Sequence, residues 1–158
     1  MAAEAGPSSS ALAAQLAELQ FDSLGPNDAI RLGRIAADLA LVDGLCVLIE
    51  IQLGERTVFR AACEGTTPDN DEWLRRKFAV VRRFEQSSLA MRVRFEEEGT
   101  DFHSATGLPE ADYAPYGGGW PLIVRGQGMV GVMGVSGLPH LEDHRLITES
   151  IAAYLAGR

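Results

Sequence analysis

The chain has 158 residues, of which 46% are hydrophobic and 23% charged, and its formal net charge is −8 at pH 7. This length and balance are typical of one globular domain that buries its own core. The negative charge argues against nucleic acid as a partner, and no apolar run approaches the ~18 residues that cross a bilayer. A signal peptide requires basic residues near its start, and none precedes Arg31. We therefore expect no membrane association and a cytoplasmic location.

The N-terminal part of the chain predicts a tail and two helices. Residues 1–10 are small and polar, which is typical of a disordered tail, so residues 11–158 are expected to form a single domain. Leucines at helical spacing predict a short amphipathic helix over residues 11–19. A Gly-Pro break separates it from a second amphipathic helix, which is predicted over residues 29–41.

A hairpin with a Gly-Glu turn follows the second helix. Alternating apolar residues predict its strands over residues 45–53 and 56–63. If the loop has two residues, Cys46 lies directly opposite Cys63 at a non-hydrogen-bonded pair, where side chains approach most closely. That register leaves two possibilities open, a disulfide or a pair of neighbouring thiols.

One long amphipathic helix is predicted from Asp69 to about Phe95, because acidic residues open it and apolar residues recur along one stripe. Its other side carries seven of the 14 basic residues, namely Arg75, Arg76, Lys77, Arg82, Arg83, Arg92 and Arg94. Such a face is usually solvated and paired with neighbouring acids. The alternative is a docking surface for an anionic ligand, whose carboxylates the guanidinium groups would hold.

A loop over residues 100–115 leads into a glycine-rich hairpin and a final helix. The hairpin opens with three consecutive glycines from Gly117, its strands are predicted over 121–125 and 129–136, and the helix over 141–155. Glycine lets a ligand or another backbone approach closely. The three glycines therefore either admit a ligand or allow a tight turn and close packing. They precede a strand and not a helix, which argues against a phosphate-binding loop.

Two histidines of the last helix are candidate metal ligands. His140 and His144 lie four residues apart, on one helix face, where they could share a metal ion with support from Asp143. No third ligand is evident from the spacing, so a histidine bonded to nearby backbone or carboxylate is the simpler interpretation. Haem ligation by one of these histidines, or by Tyr113 or Tyr116, is chemically feasible.

Ser136 and Gly137 end the last strand just before the final helix, where backbone N–H groups can bind an anion. The carboxylates of Glu142 and Asp143 already occupy the first turn of that helix and satisfy its dipole. Ser136 has no G-x-S-x-G frame, which argues against a role as a nucleophile.

Two stretches of the chain form a combined motif. The first comprises Asp69-Asn70-Asp71-Glu72-Trp73, Arg75-Arg76-Lys77, Arg82-Arg83-Phe84 and Ser87-Ser88. The second comprises Tyr116-Gly117-Gly118-Gly119, Pro121, Gly131, Val135-Ser136-Gly137-Leu138-Pro139 and Asp143-His144. Together they resemble the haem-degrading-domain superfamily, in particular its branch of small bacterial and fungal proteins related to the GlcG-like proteins. The resemblance covers roughly residues 20–156.

The resemblance implies an α+β fold, a profilin-like α-β-α sandwich with an antiparallel sheet. It also implies a homo-oligomer, a dimer or an assembly of dimers. Some relatives bind haem, and others assist its degradation or bind corrinoid-linked partners, whereas the matched branch has no assigned reaction. Haem is therefore a candidate cofactor, and the resemblance leaves open whether the chain is an enzyme.

The motif residues transfer a candidate pocket, formed by Arg76, Lys77, Arg83, Gly118, Gly119, Ser136, Gly137, Asp143 and His144. The leading hypothesis is a binding module that holds a small anionic ligand, with haem as a candidate, between the long helix and the glycine-rich hairpin. One alternative is an enzyme of haem degradation or other small-molecule chemistry, with His144 as ligand or base and Asp143 orienting it. The other is a structural or regulatory subunit without a ligand.

Overall fold

The computed structural model describes residues 6–157, which form six helices and four strands. The helices are α1 (Ser9–Glu18), α2 (Pro26–Val42), α3 (Pro68–Phe84), α4 (Ser88–Glu97), α5 (Phe102–Thr106) and α6 (His140–Ala156). The strands are β1 (Leu48–Leu53), β2 (Arg56–Ala62), β3 (Gly119–Val124) and β4 (Gly128–Ser136). Both predicted hairpins and the final helix are therefore present, with boundaries shifted by a few residues.

The four strands form one antiparallel sheet in the order β2-β1-β4-β3, with helices on both faces. Successive residues of a strand point to opposite faces, and β1 shows both: Ile49 packs in the core with α2 and α6, whereas Leu48 packs against α3. The α-β-α sandwich with an antiparallel sheet is thus confirmed.

The predicted long helix over 69–95 is wrong in one respect, because two helices replace it. Glu85 adopts a left-handed conformation with φ of 53°, and α3 ends there. Ser87 then caps α4, since its side chain accepts a hydrogen bond from the N–H of Ala90 at 3.1 Å. The break redirects the chain, so α4 does not continue along the axis of α3.

The β1–β2 register departs from the prediction beyond the turn. A β-bulge between Ile51 and Gln52 shifts the pairing by one residue. The N–H of Cys63 therefore donates to the carbonyl oxygen of Val47 at 3.0 Å, and Cys63 does not face Cys46 as predicted. Both cysteines are free thiols, so the disulfide alternative does not hold.

Helix α1 begins at Ser9, two residues earlier than predicted, because Ser8 caps it. The side chain of Ser8 accepts a hydrogen bond from the N–H of Ala11, and the N–H of Ser9 donates to Glu97 Oε1 at 2.9 Å. These contacts hold the start of α1 on α4. The predicted tail also includes residues 1–5, which lie outside the described residues.

The predicted loop over 100–115 contains the short helix α5, whose N-terminus is capped by Asp101. The Asp101 carboxylate accepts a hydrogen bond from the N–H of Ser104 at 3.1 Å. Phe102 is buried in a small hydrophobic cluster together with Val80, Met91 and Phe95. The cluster anchors this segment against α3 and α4.

None of the helices within residues 6–157 combines the length and the apolar character that crossing a bilayer requires. The cytoplasmic location stays a prediction.

The contact between α2 and β2 depends on Gly33, and we expect Gly33→Ala to destabilise the fold by about 1–2 kcal/mol. An added Cβ would lie 2.3 Å from two ring atoms of Phe59, and overpacking of this kind costs roughly 1–3 kcal/mol. Alanine's better helix propensity recovers at most about 1 kcal/mol. Urea unfolding measures the change. Arg34→Ala, at an exposed neighbour, should stay within about 0.5 kcal/mol; an equally stable Gly33→Ala protein would contradict this packing.

Candidate functional site

The three consecutive glycines pass between helices from both faces of the sheet. A Cβ atom on Gly117 would lie 2.2 Å from the carbonyl oxygen of His140 in α6, and one on Gly119 would lie 2.9 Å from Val81 Cγ2 in α3. Both separations are too short for a real Cβ atom, so only glycine fits there. Gly118 and Gly119 are buried, and their contacts favour the interpretation as close packing.

A buried ion pair lies directly beside Gly118. Lys77 Nζ donates hydrogen bonds to Asp143 Oδ2 and to the carbonyl oxygen of Val135, both at 3.0 Å. The other carboxylate oxygen, Asp143 Oδ1, accepts the N–H of Leu138 at 2.9 Å. The two charged side chains are only 3% and 2% exposed. The pair joins α3 to α6, two helices that pack on opposite faces of the sheet.

Lys77 therefore does not lie on the solvated basic side of the helix, where the sequence placed it. It lies three residues after Leu74 and four before Val81, two residues of the buried stripe of α3. A Cβ on Gly118 would stand 2.6 Å from Lys77 Nζ, so the glycine leaves the ammonium group its space. Burial lowers the pKa of Lys77 and raises the pKa of Asp143, because each charge has lost its water.

An open cleft of about 280 Å³ lies between α3, α4 and the segment that leads to the glycines. Its walls include two stacked pairs of arginine and aromatic side chains. The Arg76 guanidinium lies 4.2 Å from the ring centre of Trp73, and the Arg92 guanidinium lies 4.4 Å from that of Tyr116. The two rings meet edge to face, with centres 5.5 Å apart. We call this the arginine cleft.

The two arginines of the cleft differ in their partners. Arg92 Nε forms an ion pair with Glu96 at 2.8 Å. Arg76 donates to the carbonyl oxygen of Glu110 at 3.3 Å, and no carboxylate of the described residues lies within ion-pair distance of it. Among residues 6–157, Arg76 thus contributes a positive charge without a carboxylate counter-ion.

His103 also lines the arginine cleft. Its Nδ1 bonds the carbonyl oxygen of Leu108 at 2.8 Å. Because a carbonyl only accepts, Nδ1 carries the proton, and in the neutral ring Nε2 is left with a free lone pair. His103 therefore brings a ring nitrogen with an unused lone pair to the residues that line the cleft.

A second, polar groove of about 350 Å³ shares Trp73 and Tyr116 with the arginine cleft. Its polar lining comprises Asp69, Asn70, Lys77, Ser136, His140 and Asp143. The Asn70 side-chain amide donates to Ser136 Oγ at 3.3 Å. We call this depression the lysine groove. The ion pair thus lies along its wall, next to the arginine cleft.

The structure brings most of the predicted site residues together, though in two adjoining depressions. Arg76 lines the arginine cleft, whereas Lys77, Ser136, Gly137 and Asp143 line the lysine groove. Arg83 is exposed, with its guanidinium 5.9 Å from the ring centre of Phe84, and lines neither.

Sequence reasoning missed Trp73, Arg92 and His103 as site residues. Trp73 belongs to the first motif stretch and Arg92 to the basic side of the predicted helix, so the sequence singled out both residues. Only the turn after α3 brings them to the same cleft. His103 had no distinguishing neighbour in the sequence.

His144 and Asp143 do not form the base and orienting carboxylate of the enzyme hypothesis. His144 Nε2 bonds Gln15 Oε1 at 2.8 Å, and its ring packs against Trp120 with centres 5.7 Å apart. His140 also points to a different partner, since its Nδ1 accepts the N–H of Gly117 at 3.0 Å. The described residues hold no group of three potential ligands that could bind a metal ion.

Within the described residues, two atoms of the His144 environment have no hydrogen-bond partner, His144 Nδ1 and Trp120 Nε1. Burial lowers the pKa of His144 from 6.5 to about 4, because the protonated ring would be desolvated. The His144 ring is therefore neutral at physiological pH and serves packing.

Acid should weaken the fold through His144. Between pH 6.5 and about 4 the unfolded chain binds a proton at this ring and the folded chain does not, so stability rises with pH and falls on acidification. The loss from this group is roughly 3 kcal/mol over that window. Urea unfolding at several pH values should show a flatter profile for His144→Gln than for the unmodified chain. Equal slopes for His144→Gln and the unmodified chain would refute the assignment.

The family described as haem degrading protein HbpS-like matches residues 24–152. A UPF0303 protein of Brucella canis is 45% identical over 137 residues, 87% of this chain and 81% of the relative. A UPF0303 protein of Edwardsiella ictaluri is 45% identical over 144 residues, 91% and 92% of the two chains.

Solved structures share the fold at lower identity. The crystal structure of the Ybr137w protein has a TM-score of 0.86 at 24% identity and covers 94% of this chain and 88% of its own. A crystal structure of HbpS has a TM-score of 0.63 at 22% identity, covering 86% and 92%. A PduOC complex with heme has a TM-score of 0.68 at 17% identity, covering 83% and 94%. The chain belongs to the HbpS-like haem-degrading family.

Proposed function

We propose that the chain is a ligand-binding module whose arginine cleft takes a flat, anionic small molecule, with haem as the leading candidate. The observation that carries the proposal is the pair of guanidinium groups stacked on the edge-to-face rings of Trp73 and Tyr116. Stacking fixes the planar guanidinium groups in position while leaving donor N–H groups at their edges. Such a fork matches a carboxylate in two-point geometry.

The charges of the two arginines also favour an anionic ligand. Glu96 neutralises Arg92, whereas the charge of Arg76 has no carboxylate partner among residues 6–157. A ligand carboxylate would supply the missing counter-ion to Arg76, and a flat ring system would lie against the aromatic walls. The carboxylates of Glu96, Asp101 and Glu110 also line the cleft, so this preference is local to the Arg76 guanidinium group.

The side chains that line the cleft are of the types that bind haem. Arg76 and Arg92 would hold propionate groups, and His103 Nε2 is a nitrogen of the type that ligates haem iron. Sites for drug-sized ligands measure roughly 300–1,000 Å³, so a cleft of about 280 Å³ would enclose one edge of the macrocycle. Bound haem would supply redox chemistry that side chains lack. The family description and the heme complex of a structural neighbour support this candidate.

Replacing Arg76 should weaken binding of haemin and of iron-free protoporphyrin IX by about tenfold to 100-fold, as expected for a lost charge-assisted hydrogen bond of roughly 1.5–3 kcal/mol. Arg76→Gln keeps the size of the side chain and removes the charge. Haemin is followed by its Soret band, and protoporphyrin IX by quenching of tryptophan fluorescence, because Trp73 lines the cleft.

Arg83→Gln is the matched control, since Arg83 lies on the same helix, is exposed and lines neither depression. It should bind both porphyrins like the unmodified chain. Equal weakening by both substitutions would mean non-specific attraction to surface charge. If neither porphyrin binds saturably, haem is excluded, and the alternative of a subunit without this ligand gains support.

We also propose that the chain forms a homo-oligomer, a dimer or an assembly of dimers. Leu41 and Val42, at the end of α2, are 68% and 84% exposed, and an exposed apolar pair of this kind is suited to contact a second copy. Sedimentation velocity at micromolar concentration should find an oligomer that Leu41→Glu combined with Val42→Glu converts to monomer. Arg34→Ala on the same helix should leave the oligomer intact, and a monomeric unmodified chain would refute self-association.

A further inference from the structure

Lys77 is the only lysine of the chain, and all 13 other basic residues are arginine. This single primary amine on a side chain is also the buried one, at the wall of the lysine groove. We propose that Lys77 is a nucleophilic amine that forms a reversible imine with a small aldehyde or ketone bound in the lysine groove. This activity is independent of anion binding in the arginine cleft.

The choice of lysine fits a reactive role better than a purely structural one. Arginine is always charged and suits a fixed buried ion pair, whereas lysine can lose its proton when water is excluded. Burial lowers the pKa of Lys77 and raises the pKa of Asp143, so both shifts favour transfer of the proton along their 3.0 Å hydrogen bond. A neutral amine beside a carboxylic acid is the reactive state for attack on a carbonyl.

The groove supplies the other groups that such a reaction needs. Trp73 and Tyr116 give apolar walls for the body of a carbonyl compound. Ser136 Oγ accepts from Asn70 and makes no donor bond within the part of the chain that the structure describes, so its hydroxyl proton is available for a carbonyl oxygen. Asp143 accepts a proton from Lys77 and passes it to the carbonyl oxygen of the bound compound.

The reaction balances without an additional reagent. The Lys77 ammonium gives a proton to Asp143 Oδ2, and the nitrogen lone pair forms a C–N bond to the carbonyl carbon. The electron pair of the C=O bond moves to oxygen, which takes the proton from Asp143 and gives a carbinolamine. The nitrogen, which still carries two protons and the positive charge, then gives one proton by way of Asp143 to the hydroxyl group. The lone pair that this frees forms the C=N bond, and the protonated hydroxyl group leaves as water. The product is a protonated imine, with one positive charge as at the start.

Borohydride trapping on the unmodified chain tests the inference. The chain is incubated at pH 7 with benzaldehyde or 4-carboxybenzaldehyde, reduced, digested and mapped by mass spectrometry. We expect the native chain to acquire the benzyl group on Lys77 before the N-terminal amine. An ordinary lysine, with a pKa of about 10.4, would react after an N-terminal amine with a pKa of about 7.7–8.0. Labelling of Lys77 before the N-terminal amine in the native chain would therefore show that this lysine is more reactive than an ordinary one.

The same mapping in urea provides the internal control, because unfolding should restore the ordinary order with the N-terminal amine first. Lys77→Arg keeps a positive charge beside Asp143 and should show label at the N-terminus alone, with circular dichroism confirming its fold. If Lys77 is labelled only in urea, the inference fails, whether or not the variant folds. Benzaldehyde has no carboxylate, so its label on Lys77 tests this inference apart from the arginine cleft, whose failure would show as unchanged porphyrin binding by Arg76→Gln.

Discussion

The ion pair between Lys77 and Asp143 fixes how the two helical layers meet. It connects α3 and α6 from opposite faces of the sheet, and its ammonium group also binds the carbonyl oxygen of Val135 at the end of β4. Desolvation offsets much of the attraction in such a pair, but removal of one partner would leave a buried charge at a cost of about 3–5 kcal/mol. The pair therefore adds little net stability, but an arrangement of the two helices that separated Lys77 from Asp143 would carry this cost.

The position of the two depressions follows from this junction. Trp73 lies one helical turn before Lys77, and Tyr116 directly precedes the glycines that pass beside the ion pair. When the junction forms, the two rings meet at 5.5 Å and divide the surface into the arginine cleft and the lysine groove. The glycines make this possible because their missing side chains let α3 and α6 approach the same segment. The glycines thus allow the helices to approach, and they do not themselves form the walls of the two depressions.

Local sequence patterns predicted the elements well and the long-range geometry poorly. The alternating hairpins and the apolar stripes are short-range signals, and the structure contains them. The end of α3 at Glu85 has no glycine or proline to mark it, because the left-handed residue is a glutamate. No sequence pattern marks the bulge after Ile51 either, and this bulge displaces Cys63 from Cys46. Lys77 was misplaced since its charge outweighed its position within the buried stripe of α3.

The two cation types of the site suit different tasks. The arginine cleft holds guanidinium groups, which stay charged, stack on its aromatic rings and present a fork that matches a carboxylate. The lysine groove uses a compact ammonium group, the one cation that burial can discharge. The single lysine of the chain stands where its ammonium group is hydrogen-bonded to a neighbouring carboxylate, whereas the other 13 cations are arginines. Because Trp73 and Tyr116 are shared walls, one flat molecule with a carboxylate and a carbonyl group could contact both depressions. Under the two proposals, such a molecule would be held in the arginine cleft and would react in the lysine groove.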